Sequence, residues 1–174
     1  MEPNLVLPSA LYKESFLSAL AEYPQGKEKE AKDELWAFSL TGDFDAFIQN
    51  FKNEREGKFI PEDKVPQTVY WLVEGATFIG RVSIRHILND HLLQYAGHIG
   101  YAIRPSERGK GYGDLILKLA LPKALELGIE KALLVCSKTN TASKKIIEKN
   151  GGVFENEIEN KQGILKLRFW VPTA

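Results

Sequence analysis

The chain has 174 residues, 44% hydrophobic and 26% charged, a balance that excludes a disordered or fibrous protein and fits one globular domain over residues 1–174. Basic and acidic residues number 23 each, which excludes a nucleic-acid binder with a basic face, although residues 1–60 are net −4 and the remainder net +4. Cys136 is the sole cysteine, the amino terminus lacks a secretion signal, and no run approaches the ~18 apolar residues of a membrane span, so a cytoplasmic protein without disulfides or membrane contact is expected.

Helix-forming composition runs over 10–23 and 27–38. Asp43 is placed to cap a third helix whose Phe44, Phe47, Ile48 and Phe51 form one apolar stripe, with Gly57 at its end. After Pro66 the β-branched and aromatic runs 68–73 and 77–85, joined by Glu74-Gly75-Ala76, predict a hairpin. In its second strand Phe78, Val82 and Ile84 alternate with Arg81, Ser83 and Arg85, so one face is expected in the core and the other wet or functional. A strand over 97–104 stops at Pro105, and a glycine-rich turn leads into an amphipathic helix over 114–127, with a kink expected at Pro122 and a cap at Gly128. A strand over 131–137, a short helix over 141–149 and strands over 153–158 and 165–171 complete an α+β or α/β order that needs at least one parallel crossover.

The segment Ile99 to Asp114 sets Gly109, Gly111 and Gly113 between a strand and a helix start, beside Arg108 and Lys110. Exposed backbone N–H groups, the positive end of the helix and two side-chain cations would cradle a pyrophosphate; the glycine count alone fits a flexible turn equally well. Two common phosphate loops fail on spacing. Lys110 is followed by Gly111 where a Walker A loop needs Ser or Thr, and the third dinucleotide-fingerprint glycine would fall at Asp114 or Ile116.

Arg108-x-x-Gly111-x-Gly113 opening a helix resembles the coenzyme A signature of the GNAT superfamily of N-acetyltransferases. The likeness extends to Asn140-x-x-Ser143-x-x-Ile146-Ile147-x-Lys149-x-Gly151, similar to the family's second segment. The resemblance implies a mixed, mostly antiparallel sheet splayed at a central parallel strand pair, with residues 68–171 as sheet and coenzyme A core and 1–60 as the helical acceptor side. It implies an acetyltransferase that passes the acetyl group of acetyl-coenzyme A directly to a primary amine. A coenzyme A-binding sensor with little activity is the alternative.

On that resemblance the backbone of Tyr101, Ala102 and Ile103 would pair with the pantetheine arm and bond the thioester carbonyl. Arg108, Gly109, Lys110, Gly111, Tyr112 and Gly113 would hold the pyrophosphate. Asn140 would bond the cofactor arm or cap the following helix, and Ser143 has the same two readings. His98 stands where many relatives carry a glutamate base; an imidazole could take the amine's proton, or be a core histidine satisfied by a neighbouring backbone group. The fold also implies homodimer pairing through terminal strands.

The sequence departs from the family at two points. Ile147 stands where a tyrosine often protonates the leaving thiolate, and Gly152 where an aromatic residue is usual. Another hydroxyl, Tyr101 or Tyr95, would have to reach the sulfur, or the thiolate leaves without a dedicated donor. No metal is expected from His86, His91, His98 and Asp90, and Cys136 reads as a buried inert thiol.

Overall fold

The computed structural model describes residues 2–23 and 42–174, so the helix expected over 27–38 lies outside the described residues. The order is β1 (Asn4–Val6), a 3-10 turn at Ala10–Tyr12, α1 (Lys13–Ala21), α2 (Phe44–Glu56), β2 (Gln67–Glu74), β3 (Thr77–Arg85), α3 (Asp90–Tyr95) and β4 (Ile99–Ile103). After a 3-10 turn at Pro105–Glu107 follow α4 (Tyr112–Glu126), β5 (Lys131–Ser137), α5 (Thr141–Lys149), β6 (Val153–Glu159) and β7 (Leu165–Pro172). The class is α+β.

Local signals account for most boundaries. Asp43 caps α2 by accepting from the Asp45 N–H at 2.9 Å, and Gly57 closes it in the left-handed conformation at φ 68°. Helix α4 starts two residues before the expected Asp114 and continues past Pro122 to Glu126. The early start carries Gly113 into the first turn, where a Cβ would stand 2.6 Å from the Ile146 Cδ1; this glycine lets α4 pack closely on α5.

Strands pair in two antiparallel sheets, β1-β2-β3-β4 and β5-β7-β6. Helices α4 and α5 bury Ile116, Leu117, Ala120 and Ile147 against Val82, Ile84, Leu134 and Phe169. On the opposite face of the first sheet, α1 and α2 bring Phe16, Phe44 and Phe47 onto Trp71, whose ring stacks on Phe16 at 4.7 Å. Aromatic pairs of this kind add ~0.5–1.5 kcal/mol beyond their burial.

Phe78 corrects the sequence reading. Val73 pairs with Phe78 and Leu72 with Gly80, so Ile79 is an extra residue in β3 and the alternation reverses there. Phe78 therefore joins the aromatic cluster, while Val82 and Ile84 keep the α4 side. Arg81, Ser83 and Arg85 lie on the same face as Trp71 and Val69, their partners across the ladder being Trp71 for Arg81 and Val69 for Ser83.

The two sheets meet at an isolated bridge between Gly97 and Leu134. That bridge is antiparallel in type, and no parallel ladder forms among the described strands, so in place of the expected parallel pair β4 and β5 part from it with Gly100–Ala102 on one side of the gap and Val135–Ser137 on the other. The central strand pair is thus a V, each of whose arms belongs to an antiparallel sheet.

Candidate active site

The apex of the V is built from Gly97, His98 and Arg85. Gly97 has φ 71°, and a Cβ there would collide with the Leu133 carbonyl, so the chain passes β5 at a distance only glycine allows. The His98 N–H donates to the Leu133 carbonyl at 2.7 Å, and the Leu133 N–H donates back to His98 Nδ1 at 2.9 Å. The imidazole stands in for a ladder carbonyl, so the strands are held at this point and free to separate beyond it. Arg85 reinforces the apex, its guanidinium donating to the Gly97 carbonyl at 3.0 Å.

This geometry is that of the core role for His98. Nδ1 accepts a hydrogen bond, which places the proton of the neutral ring on Nε2 and leaves no free lone pair for a base. Burial, with the Arg85 charge second, holds its pKa below the ordinary histidine value and favours that neutral ring.

Beyond the apex the V encloses a cavity of about 370 Å³. Its β4 wall includes Gly100, Tyr101 and Ala102, its β5 wall Val135, Cys136 and Ser137, and α5 adds Ser143 and Ile147. Ladder bonds at Arg85–His98 and Ile79–Arg104 bracket β4, and antiparallel alternation turns the backbone groups of Ala102 toward Arg81 and those of Tyr101 toward the open gap. The Ile103 carbonyl also faces outward and accepts from Arg108 Nε at 3.0 Å and from the Tyr23 hydroxyl at 3.4 Å. Of the expected three, Tyr101 and Ile103 therefore turn their backbone groups to the edge an extended arm would reach, and the Ile103 carbonyl is already engaged there.

At the mouth of the V the loop from Arg108 to Gly113 leads into α4. Gly109 and Gly111 have φ 79° and 90°, and a Cβ at either would meet nothing within 4 Å, so their backbone is open to a ligand. Helix α4 begins without a side-chain cap, leaving its first amides without intrahelical acceptors. The Asp114 carboxylate turns away to α5, where Lys149 Nζ at 2.6 Å and Asn150 Nδ2 at 2.9 Å hold it. Lys110 is paired with Glu107 at 2.9 Å, and the Arg108 guanidinium lies 5.5 Å from the centre of the Tyr23 ring.

Asn140 caps α5, its Oδ1 accepting from the Ser143 N–H at 3.0 Å, and it also lines the cavity, so cap and wall coexist in one residue. The Ser143 hydroxyl lies 3.1 Å from the Tyr101 hydroxyl. Burial above all pushes Tyr101 up to about 12, so its proton is held across the physiological range. Burial also raises the Cys136 thiol, which keeps it protonated and a poor nucleophile.

The sequence reading left Arg81, Ser83, Arg85 and Lys166 without roles, yet all four line the cavity. For the three on β3 the signal was the polar side of its alternation; Lys166, on β7, had none. The six residues of the loop, Ile103 and His98 lie outside that lining, His98 at the apex. The three histidines do not converge, and among the described residues no cluster of His, Cys, Asp and Glu could hold a metal ion. Nor is any helix among them long and apolar enough to cross a membrane.

A family model described as an acetyltransferase (GNAT) domain matches residues 28–153. The chain belongs to the GNAT acetyltransferase family, and acetyl transfer is the chemistry of that family. Among solved structures, a chimera of the Vibrio cholerae spermidine N-acetyltransferase SpeG and hSSAT is 16% identical with TM-score 0.66, over 99% of this chain and 96% of the other. A GNAT acetyltransferase from Streptococcus pneumoniae is 15% identical with TM-score 0.64, over 99% of this chain and 100% of the other. The microcin self-immunity acetyltransferase MccE, in complex with acetyl-CoA and AMP, is 14% identical with TM-score 0.63, over 98% of this chain and 92% of the other. Among curated proteins none matches the sequence at a significant level.

Proposed function

We propose that the protein is an N-acetyltransferase that uses acetyl-coenzyme A and passes the acetyl group directly to a primary amine in a ternary complex. The observation that carries this reading is the gap between β4 and β5, whose Tyr101 edge is unpaired in either sheet and whose mouth leads to the open glycine loop. An extended pantetheine arm would complete the ladder at Tyr101, and a pyrophosphate would meet the uncapped start of α4 with Arg108 and Lys110 beside it.

In the reaction the amine nitrogen bonds the acetyl carbon, the carbon–sulfur bond breaks, and the amine's proton leaves. The Tyr101 N–H faces the place where the thioester oxygen gains charge. The Tyr101 hydroxyl, backed by Ser143, supplies a hydrogen bond to the departing sulfur in place of the residue lost at 147. His98 shapes the apex and the proton passes to water. The raised Cys136 pKa supports direct transfer over an acyl-enzyme, and a lone buried thiol fits the reducing cytoplasm.

Ile147 favours a second reading, a coenzyme A-binding sensor with little turnover. A melt with and without acetyl-coenzyme A, followed by thiol release over a panel of amines, separates the two. At a hundredfold excess over Kd the ligand adds about 2.7 kcal/mol, which raises the midpoint by roughly 5–11 °C. A shift with release supports the enzyme, a shift without release the sensor, and no shift at saturation overturns both.

A further inference from the structure

The acceptor side of the cavity carries charge that the proposed chemistry does not use. Arg81 and Arg85 lie on the same face of β3, four residues apart with Ser83 between them, and Lys166 enters from β7 across the gap. No Asp or Glu is among the described residues that line the cavity.

Arg85 differs from the arginines most like it. Arg104 is 13% exposed and pairs with Glu22 at 2.6 Å, and Arg168 is 12% exposed and pairs with Glu155 at 2.7 Å. Arg85 is half-buried, and among the described residues its side chain bonds only the neutral Gly97 carbonyl. Its guanidinium nitrogens lie over Gly100, both 3.8 Å from where a Cβ would stand, so the missing side chain leaves room beside the charge. Burial and the nearby Arg81 charge both act against ionisation of Arg85, yet a guanidinium stays charged in proteins. A half-buried guanidinium with no carboxylate beside it among the described residues raises the energy of the cavity, and an anion placed against Arg85 relieves it.

Resting on the acetyltransferase reading above, we propose that the acceptor is a small amine that also bears a carboxylate or a phosphate, and that Arg85, with Lys166 opposite, holds that anionic group. Arginine suits the task because its planar fork matches either oxyanion with two parallel bonds. The anion would fix the amine's distance from the thioester, making the site a ruler for substrates whose acid and amine lie a few bonds apart. A polycation such as spermidine, the substrate named for the Vibrio cholerae enzyme, would meet repulsion at the same place.

The test is thiol release from acetyl-coenzyme A with four amines of similar size or opposite charge: β-alanine, O-phosphoethanolamine, ethanolamine and spermidine. In parallel, the melting midpoint of the coenzyme A-saturated protein is followed with each amine. The expected result is a preference of at least about tenfold in kcat/KM for one of the two anionic amines over ethanolamine, with a midpoint shift from the same compound. The β-alanine and O-phosphoethanolamine arms distinguish carboxylate from phosphate. Arg85→Gln should bring that preference toward unity, chiefly through KM, and Arg85→Lys should restore part of it. Circular dichroism confirms that each variant is folded, and Lys166→Gln serves where Arg85→Gln is not.

Equal or better use of ethanolamine or spermidine by the wild-type protein overturns the proposal and leaves the acetyltransferase reading standing. So does a preference unchanged in Arg85→Gln. Thiol release from none of the four, with no midpoint shift from either anionic amine, overturns it as well. Failure of acetyl-coenzyme A itself to shift the midpoint removes the parent reading and this inference together.

Discussion

Gly152 lies so close to Ile147 that a Cβ on the glycine would stand 2.5 Å from the Ile147 Cγ2 and 2.7 Å from its carbonyl oxygen. The Gly152 N–H donates to that same carbonyl at 2.9 Å, which fixes the approach. The two departures from the family pattern are therefore one feature. Ile147 is 1% exposed and forms part of the cavity wall, and its branched side chain occupies the space a side chain at 152 would need.

Gly152→Ala should accordingly destabilise the protein by about 1–3 kcal/mol through overpacking, at roughly 2–4 °C of melting midpoint per kcal/mol. In an Ile147→Ala background the same change should cost less, because the γ2 methyl is gone. Thermal melts of the four proteins give the coupling, and strict additivity would show that the contact is not the cause.

Much of this arrangement was legible in the sequence where the signal is local. Asp43 and Gly57 delimit α2 through their own conformational preferences, and the glycine loop before α4 announces itself by residue type. What stayed hidden depends on partners far along the chain. The reversal at Phe78 follows from pairing with Val73 across a bulge, and period-two alternation carries no sign of it. His98 reads equally as a base or as a core histidine until Leu133, 35 residues on, is seen donating to its Nδ1. Strand β1 has three residues, too few to show a period, and α3 has six behind an Asn89 cap that accepts from Leu92. Arg85 was visible on the polar side of the β3 alternation, but its meaning required the opposite wall.

Stability should depend on pH through two half-buried imidazoles. Burial lowers the pKa of His86, and burial followed by the Arg85 charge lowers that of His98, each from an ordinary value of 6.5. Below about pH 6.5 the unfolded chain binds protons that the folded protein refuses, so the contribution is complete above that pH and is lost as the pH falls through the folded values. Melting midpoints measured from pH 7.5 down to 5.5 should decline. The slope should be shallower in His98→Ala, even though that variant starts from a lower midpoint for want of the Leu133 bond. An unchanged slope would mean that His98 does not titrate differently in the two states.

Arg108 is expected to matter for cofactor affinity more than for the fold. Its side chain is exposed, lies over Tyr23 and bonds the Ile103 carbonyl at the mouth of the V. Arg108→Ala should weaken acetyl-coenzyme A binding about tenfold, the loss of one charge-assisted contact. Titration at low and high salt checks the cause, because a phosphate contact should make the wild-type protein the more salt-sensitive of the two. Equal affinity would remove Arg108 from the pyrophosphate site.

On the proposed reading Tyr101 has two functions that one substitution separates. Its backbone lies on the open edge of β4, and its hydroxyl meets Ser143 at 3.1 Å on the α5 side of the cavity. Tyr101→Phe keeps the backbone and the ring, so acetyl-coenzyme A should bind as before. What is lost is the hydrogen bond offered to the departing sulfur, and kcat should fall by about ten- to a hundredfold. Because burial pushes the Tyr101 pKa up to about 12, the hydroxyl is protonated throughout the working range and the deficit should be the same at pH 6.5 and pH 9. A deficit confined to KM, or one that closes at high pH, would place the sulfur's hydrogen-bond donor elsewhere in the cavity.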